Sequence, residues 1–161
     1  MVSASSGQNP VPYAAYNAAG QLINLNFGSG DTDSFAYDPQ TGRFTQYQYN
    51  VGTGPQVVSG ALTWNHNGTL GGLAITDGPN PANSQTCSYV YDELGRIAGS
   101  DPTPPGVKCV NGLQTVWQQT FTYDAFGNIK KSGTSTFQPT YSASTNQFTR
   151  KTVFHRPRGP R

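Results

Sequence analysis

Tyr91-Asp92-Glu93-Leu94-Gly95-Arg96-Ile97 and Tyr123-Asp124-Ala125-Phe126-Gly127-Asn128-Ile129 align without a gap. Outward from this pair, Tyr37-Asp38-Pro39-Gln40-Thr41-Gly42-Arg43-Phe44 is the same unit with one residue inserted. Tyr16-Asn17-Ala18-Ala19-Gly20-Gln21-Leu22 has Asn for Asp, and Trp64-Asn65-His66-Asn67-Gly68-Thr69-Leu70 replaces the Tyr as well. Tyr141-Ser142-Ala143-Ser144-Thr145-Asn146-Gln147-Phe148 is a sixth copy, with Asn146 where Gly should sit. The aromatic anchors step by 21, 27, 27, 32 and 18 residues, and a repeat of this length points to stacked supersecondary units.

Each position has a physical job. Apolar residues alternate before the anchor, as in Phe35-Ala36-Tyr37, Tyr89-Val90-Tyr91 and Phe121-Thr122-Tyr123, and period two places both aromatics on one face of a strand. The Asp or Asn that follows can accept a hydrogen bond from a backbone N–H two residues on. The Gly four or five residues after the anchor supplies a positive φ at little steric cost, and Asn is its best substitute. The apolar residue two after the Gly starts the return strand. The unit is therefore a β-hairpin. A lone hairpin is marginal in water, so the expected fold is all-β: stacked antiparallel hairpins forming a curved sheet, open at both ends.

Composition agrees. The chain has 161 residues with 34% hydrophobic and 11% charged, and 19 Gly and 12 Pro punctuate it every few residues. Glu93 is the sole Glu and Lys is scarce, so the usual fillers of exposed helix faces are missing. No apolar run is long enough to insert in a membrane as a helix. The net charge of +2 hides an asymmetry, because Arg150, Lys151, Arg156, Arg158 and Arg161 crowd the last twelve residues and leave an acidic body. Bulk electrostatics thus exclude nucleic acid as a partner of the body; only the basic tail could hold it weakly. Three segments are expected: a flexible stretch 1–12 with no signal-peptide pattern, a hairpin array 13–149, and a basic, unfolded tail 150–161, read as a frame change or chain end. Asp77-Gly78-Pro79-Asn80-Pro81, Asp101-Pro102-Thr103-Pro104-Pro105-Gly106 and Gly52-Thr53-Gly54-Pro55 read as loops.

The repeat units resemble the YD-repeat family, also called Rhs repeats, whose consensus is Tyr-Asp-x-x-Gly-Arg/Asn-Leu/Ile. Tyr91 to Ile97 and Tyr123 to Ile129 match it closely; the copies at Tyr16, Tyr37 and Trp64 match it loosely. The resemblance implies a long sheet that spirals into a hollow shell around a toxic C-terminal segment, in bacterial polymorphic toxins and insecticidal toxin complexes. Related barrels stand on cell surfaces as adhesion ectodomains. It implies a secreted or cell-surface protein whose partners are the rest of the shell and its cargo. Six units are too few to close a shell, and the Rhs core segment with its cleaving aspartates has no counterpart, so the chain reads as a shell fragment. The second reading is a binding module, recognising carbohydrate or a cell-surface protein through its sheet face.

The residues offer little chemistry. Asp38, Asp92 and Asp124 are the Asp of the motif and belong to the turns. Asp31 and Asp33 follow Gly28-Ser29-Gly30 and read as a solvated loop rather than an acid/base pair. His66 lies in a turn and His155 in the tail, with no metal-ligand spacing and no nucleophile elbow. No catalysis, metal or cofactor is expected; an enzyme would have to hide its site in 71–88. Asn67-Gly68-Thr69 is a formal glycosylation sequon that coincides with a turn. The 2 Trp, 9 Tyr and 8 Phe read as packing on the inner sheet face, with Trp117 the least explained by the motif. Cys87 and Cys109 fit no zinc pattern. They are either two unrelated thiols or a bridge closing a loop of roughly 20 residues, worth about 3 kcal/mol.

Overall fold

A computed structural model of the chain describes residues 10–52, 56–99 and 105–148. The segments 1–9 and 149–161, including the basic tail and His155, lie outside the described residues, as do most of Gly52–Pro55 and Asp101–Pro104. Ten strands follow one another: β1 (Tyr13–Tyr16), β2 (Leu22–Asn26), β3 (Thr32–Tyr37), β4 (Phe44–Asn50), β5 (Val57–Trp64), β6 (Leu70–Asp77), β7 (Gln85–Tyr89), β8 (Val107–Asn111), β9 (Gln114–Tyr123) and β10 (Ile129–Gly133). They pair in chain order, each antiparallel to the next, in one open sheet. A single 3₁₀ turn, Pro81–Asn83, is the helical content of the described residues. The stretch 71–88 is therefore strand, turn and strand.

Cross-strand register sorts the side chains into two faces. One carries the rows Phe35–Tyr47–Gly60–Ile75 and Leu62–Leu73–Cys87–Cys109–Trp117. The other carries Ser34–Gln48–Ser59–Thr76 and Thr63–Gly72–Ser88–Lys108–Gln118. The apolar face is built as the alternation demands, but its aromatics are only half-buried, because no second layer covers it among the described residues. Phe35, Tyr37, Phe44, Tyr47 and Tyr49 pack on each other instead, with centroids 5.0 to 6.4 Å apart. Tyr47 lies across Gly60, where an added Cβ would overlap the ring. The buried apolar cluster is small: Cys87, Val107 and Cys109, flanked by Leu73, Tyr89, Ile97, Trp117 and Phe121. Trp117 thus belongs to the packing around the two cysteines.

Two local readings are corrected. Asp33 sits inside β3 opposite Tyr49, not in a loop; only Asp31 lies in the preceding turn. The return strand of the fourth unit does not run on from Ile97. Tyr91 bridges Ile97 and Ala98 N donates to Val90 O, then the pairing stops and resumes where Val90 N donates to Gly106 O. The fourth unit therefore splits its return strand into two pieces laid end to end along the same partner.

Candidate functional site

All six motif turns lie along one edge of the sheet, and the geometry there is repetitive. In the first, third, fourth and fifth units a three-residue loop is closed by the pairs Asn17–Gln21, Asn65–Thr69, Asp92–Arg96 and Asp124–Asn128, with N–H···O distances of 2.9 to 3.1 Å. Gly20, Gly68, Gly95 and Gly127 follow the inner turn at φ of 77, 90, 74 and 81°. This is the three-residue hairpin loop, a four-residue turn closed by the glycine N–H, with that glycine in the left-handed region. The second and sixth units hold one more residue, with Gly42 at φ 68° and Asn146 at φ 55°. Asn146 is the one non-Gly residue with positive φ among those described.

The Asx side chains fill the inside of the turns. Asp92 Oδ1 accepts from the N–H groups of Leu94 and Arg96 at 3.0 and 2.9 Å, and Asp124 Oδ1 from those of Phe126 and Asn128 at 2.9 Å each. Asn17 does the same with Ala19 and Gln21, and Asp38 with Gln40 and Thr41. The third unit differs. Asn67 Oδ1, not Asn65, accepts from Thr69 N at 3.1 Å, while Asn65 turns its amide to the Thr69 hydroxyl. In the sixth unit Ser142 stands in for the Asx and accepts from Thr145 N at 3.3 Å.

Electrostatics follow from these bonds. The Asn128 amide, then the Asn128 and Phe126 N–H groups, hold the Asp124 carboxyl below the usual carboxylate range against some desolvation. The Thr41 hydroxyl and N–H do so for Asp38. Desolvation pushes the Asp92 carboxyl up, but the Arg96 N–H and guanidinium outweigh it, and the net direction is down. The Gly52 N–H and Ser29 hydroxyl lower Asp31, whereas desolvation and the neighbouring Asp31 raise Asp33. Asp38, Asp92 and Asp124 are acceptors satisfied by their own turns; among the described residues no cluster of His, Cys, Asp or Glu could hold a metal ion.

Two positions have roles that reading one unit at a time does not show. The residue after the Gly reaches back to the Asx: Arg96 Nε donates to Asp92 Oδ2 at 2.7 Å and Asn128 Nδ2 to Asp124 Oδ2 at 2.8 Å. It also reaches forward. Gln21 donates to Gly42 O at 2.8 Å, Arg43 to Asn65 O at 3.4 Å, and Asn128 to Asn146 Oδ1. Arg96 lies over the Tyr123 ring, 4.0 Å from its centroid.

The anchors bond across units too. Trp64 Nε1 donates to Phe44 O at 2.7 Å, Tyr91 OH to Leu70 O at 3.0 Å and Tyr123 OH to Ile97 O at 2.8 Å. In each case the acceptor is the first return-strand residue of the preceding unit. A signal for this lay in the sequence: the anchors are Tyr or Trp and never Phe, so each brings a donor. Tyr16, Tyr37 and Tyr141 stand at the same place in their own hairpins, opposite Leu22, Phe44 and Phe148.

The cysteines meet away from the turns. Cys87 and Cys109 are direct cross-strand partners in β7 and β8, and their sulfurs are bonded at 2.04 Å.

No protein-family model matches the chain, and no curated protein matches it in sequence. Solved structures match its fold. The crystal structure of TcdB2-TccC3-Cdc42 is 18% identical, with a TM-score of 0.67 over 92% of this chain and 8% of that one. TcdB2-TccC3-TEV matches with 19% identity and a TM-score of 0.62 over 88% of this chain and 8% of that one. TcdB2-TccC3 without its hypervariable C-terminal region matches at 20% identity, again with a TM-score of 0.62 over 88% of this chain and 8% of that one. The match survives removal of that region, so the likeness lies in the rest of the long chain. With its hairpins in chain order and its motif turns on one edge, this chain has the fold of a stretch of TcdB2-TccC3, of which it spans 8%.

Proposed function

We propose that the chain is a structural segment of a YD-repeat shell wall that encloses a toxin or other cargo, with no catalysis of its own. The observation that carries this is the bonding between units: anchors at Trp64, Tyr91 and Tyr123 each donate to the hairpin before them. A chain stitched in that way extends a wall by adding units, and its side chains are spent on holding the next turn. Its partners are then the neighbouring stretches of the same shell and the cargo, and its place is a secreted or cell-surface assembly. The likeness to TcdB2-TccC3, of which it spans 8%, supports the wall reading.

The cluster of Phe35, Tyr37, Phe44, Tyr47 and Tyr49 favours a second reading, a sheet face that stacks sugar rings. One experiment separates the two. The chain is offered a glycan array and, in parallel, a reduced, unfolded polypeptide that imitates cargo in transit. A wall binds the polypeptide weakly through its apolar face and shows no sugar preference. A single glycan class held tightly, and lost in Tyr47→Ala, refutes the wall and installs the binding module.

A further inference from the structure

The split return strand of the fourth unit leaves a seam between β7 and β8 that no motif turn closes directly. The piece Ile97–Ala98 is tied to Tyr91 and Val90 by the motif turn. The resumed piece, Gly106 and β8, has no motif turn to align it. It is tied to β7 by four pairs, Thr86–Val110, Cys87–Cys109, Ser88–Lys108 and Tyr89–Val107, as many as β6 and β7 share, but the connection from Tyr89 to Val107 is the longest between consecutive strands. On the β7 side, beyond the ladder, its far end reaches the 3₁₀ turn through exposed bonds from Asn111 Nδ2 to Pro81 O and Ala82 O at 3.2 and 3.1 Å. The disulfide sits in the middle of this short ladder, and its two cysteines with Val107 are the buried apolar core of the described sheet. In a stacked array each unit leans on its neighbours alone, so a loosened seam opens locally instead of unfolding the whole.

We propose that the Cys87–Cys109 bridge is a redox latch on the β7–β8 seam. Oxidised, it makes residues 10–98 and 106–148 one sheet; reduced, the seam opens while the hairpins on either side persist. The opening chemistry is thiol–disulfide exchange with a dithiol. One thiolate of the dithiol attacks one cysteine sulfur, the Cys87–Cys109 S–S bond breaks, and the second dithiol sulfur displaces the mixed disulfide. The dithiol leaves as its own disulfide, having supplied two electrons and two protons that end on two cysteine thiols. Both cysteines are 5% exposed or less, so exchange proceeds through transient openings of the seam. The latch does not depend on the shell reading: it needs only the sheet.

The test is backbone hydrogen exchange on the intact chain, with and without dithiothreitol, alongside the Cys87→Ala/Cys109→Ala double variant without reductant. The expected result is faster exchange at Lys108 and the other β8 amides, by on the order of a hundredfold for a loop of this length. The β4–β5 amides, such as Ser59 and Gln48, keep their rates. The double variant should match the reduced wild type. Unchanged β8 exchange on full reduction, checked by thiol titration, overturns the latch. So does acceleration spread evenly over all strands, since the bridge would then stabilise the chain as a whole and gate nothing.

Discussion

Removing one hydroxyl from Tyr123 tests the bonding between units. Its OH donates to Ile97 O at 2.8 Å in a part-buried setting, and the ring carries the Arg96 guanidinium at 4.0 Å. Tyr123→Phe keeps the ring, and with it the cation–π contact, and deletes only the bond between the fourth and fifth units. A neutral hydrogen bond of this kind contributes about 1 kcal/mol net. In a chain of this size that lowers Tm by roughly 3 °C. Tyr91→Phe deletes the equivalent bond to Leu70 O at 3.0 Å and should cost about the same. The double variant should lose about 2 kcal/mol if the junctions act independently. Because Tyr91 pairs with Ile97, which serves Tyr123, an excess over the sum would measure how strongly adjacent junctions cooperate. Urea and thermal melts followed by far-ultraviolet circular dichroism read the loss. Tyr16→Phe is the control, since Tyr16 is 62% exposed on the first strand. If Tyr123→Phe melts with Tyr16→Phe and wild type, the hydroxyls are solvated ornaments and the account of how units are joined is wrong.

Gly127→Ala should cost about 1 kcal/mol from its left-handed backbone alone, since nothing lies within 4 Å of an added Cβ; Gly127→Asn should cost less, and equal melting of the two would refute the turn geometry. Gly60→Ala should be worse than Gly127→Ala, because its Cβ would overlap the Tyr47 ring, and a mild effect would place that ring elsewhere. Acid should destabilise the chain. Asp38, Asp92 and Asp124 have folded pKa values below 3.8, so their contribution is complete above the unfolded value and is lost as the pH falls through the folded ones. Asp33, raised, works in the opposite direction, and Asp33→Asn should steepen the acid loss. Urea midpoints from about pH 5 down to 3 read both, and a midpoint that rises on acidification would reverse the sign argued here. Among the described residues no strand pairs with the outer edge of β1, so the isolated chain should self-associate as concentration rises; a strictly monomeric sedimentation profile would show that the edge is protected.

The fold class was legible because a turn is a local event. A glycine at the αL position and an Asx three or four residues before it announce the hairpin within eight residues, and five such sets in order, with a sixth that has Ser142 and Asn146 instead, leave little choice but a meander. The side-chain roles that join units were not legible within one unit. Arg43 and Gln21 act on turns 22 and 21 residues away, and a distance of that kind appears only once strands are set in register. Asn67 took the accepting role of Asn65 because Thr69, with its hydroxyl two residues on, gave it a better partner. The split strand was hidden because the Pro-rich stretch after Gly99 reads as a loop between strands and not within one. The cysteine pair stayed open for the same reason: spacing along the chain says nothing about which strands the split brings face to face.

The half-buried face carries the last step of the argument. An ordinary domain of this length is held by two packed layers, and this sheet has one. Its described core is three residues, so burial cannot align ten strands by itself. What aligns them is the backbone ladder together with a row of polar contacts along one edge, where turns are filled by their own Asx or Ser side chains and gripped by the neighbouring unit. Such contacts are individually weak and short in reach, and they fix the spacing of neighbours without fixing the length of the array. An apolar face left open is costly to a free domain but suits a wall whose opposite side, or whose contents, lie elsewhere. The same logic explains where the chain bears a covalent bond. Among the described residues, the return strand of the fourth unit is interrupted between Ala98 and Gly106, and beside that break the two strands are joined by sulfur as well as by backbone pairing.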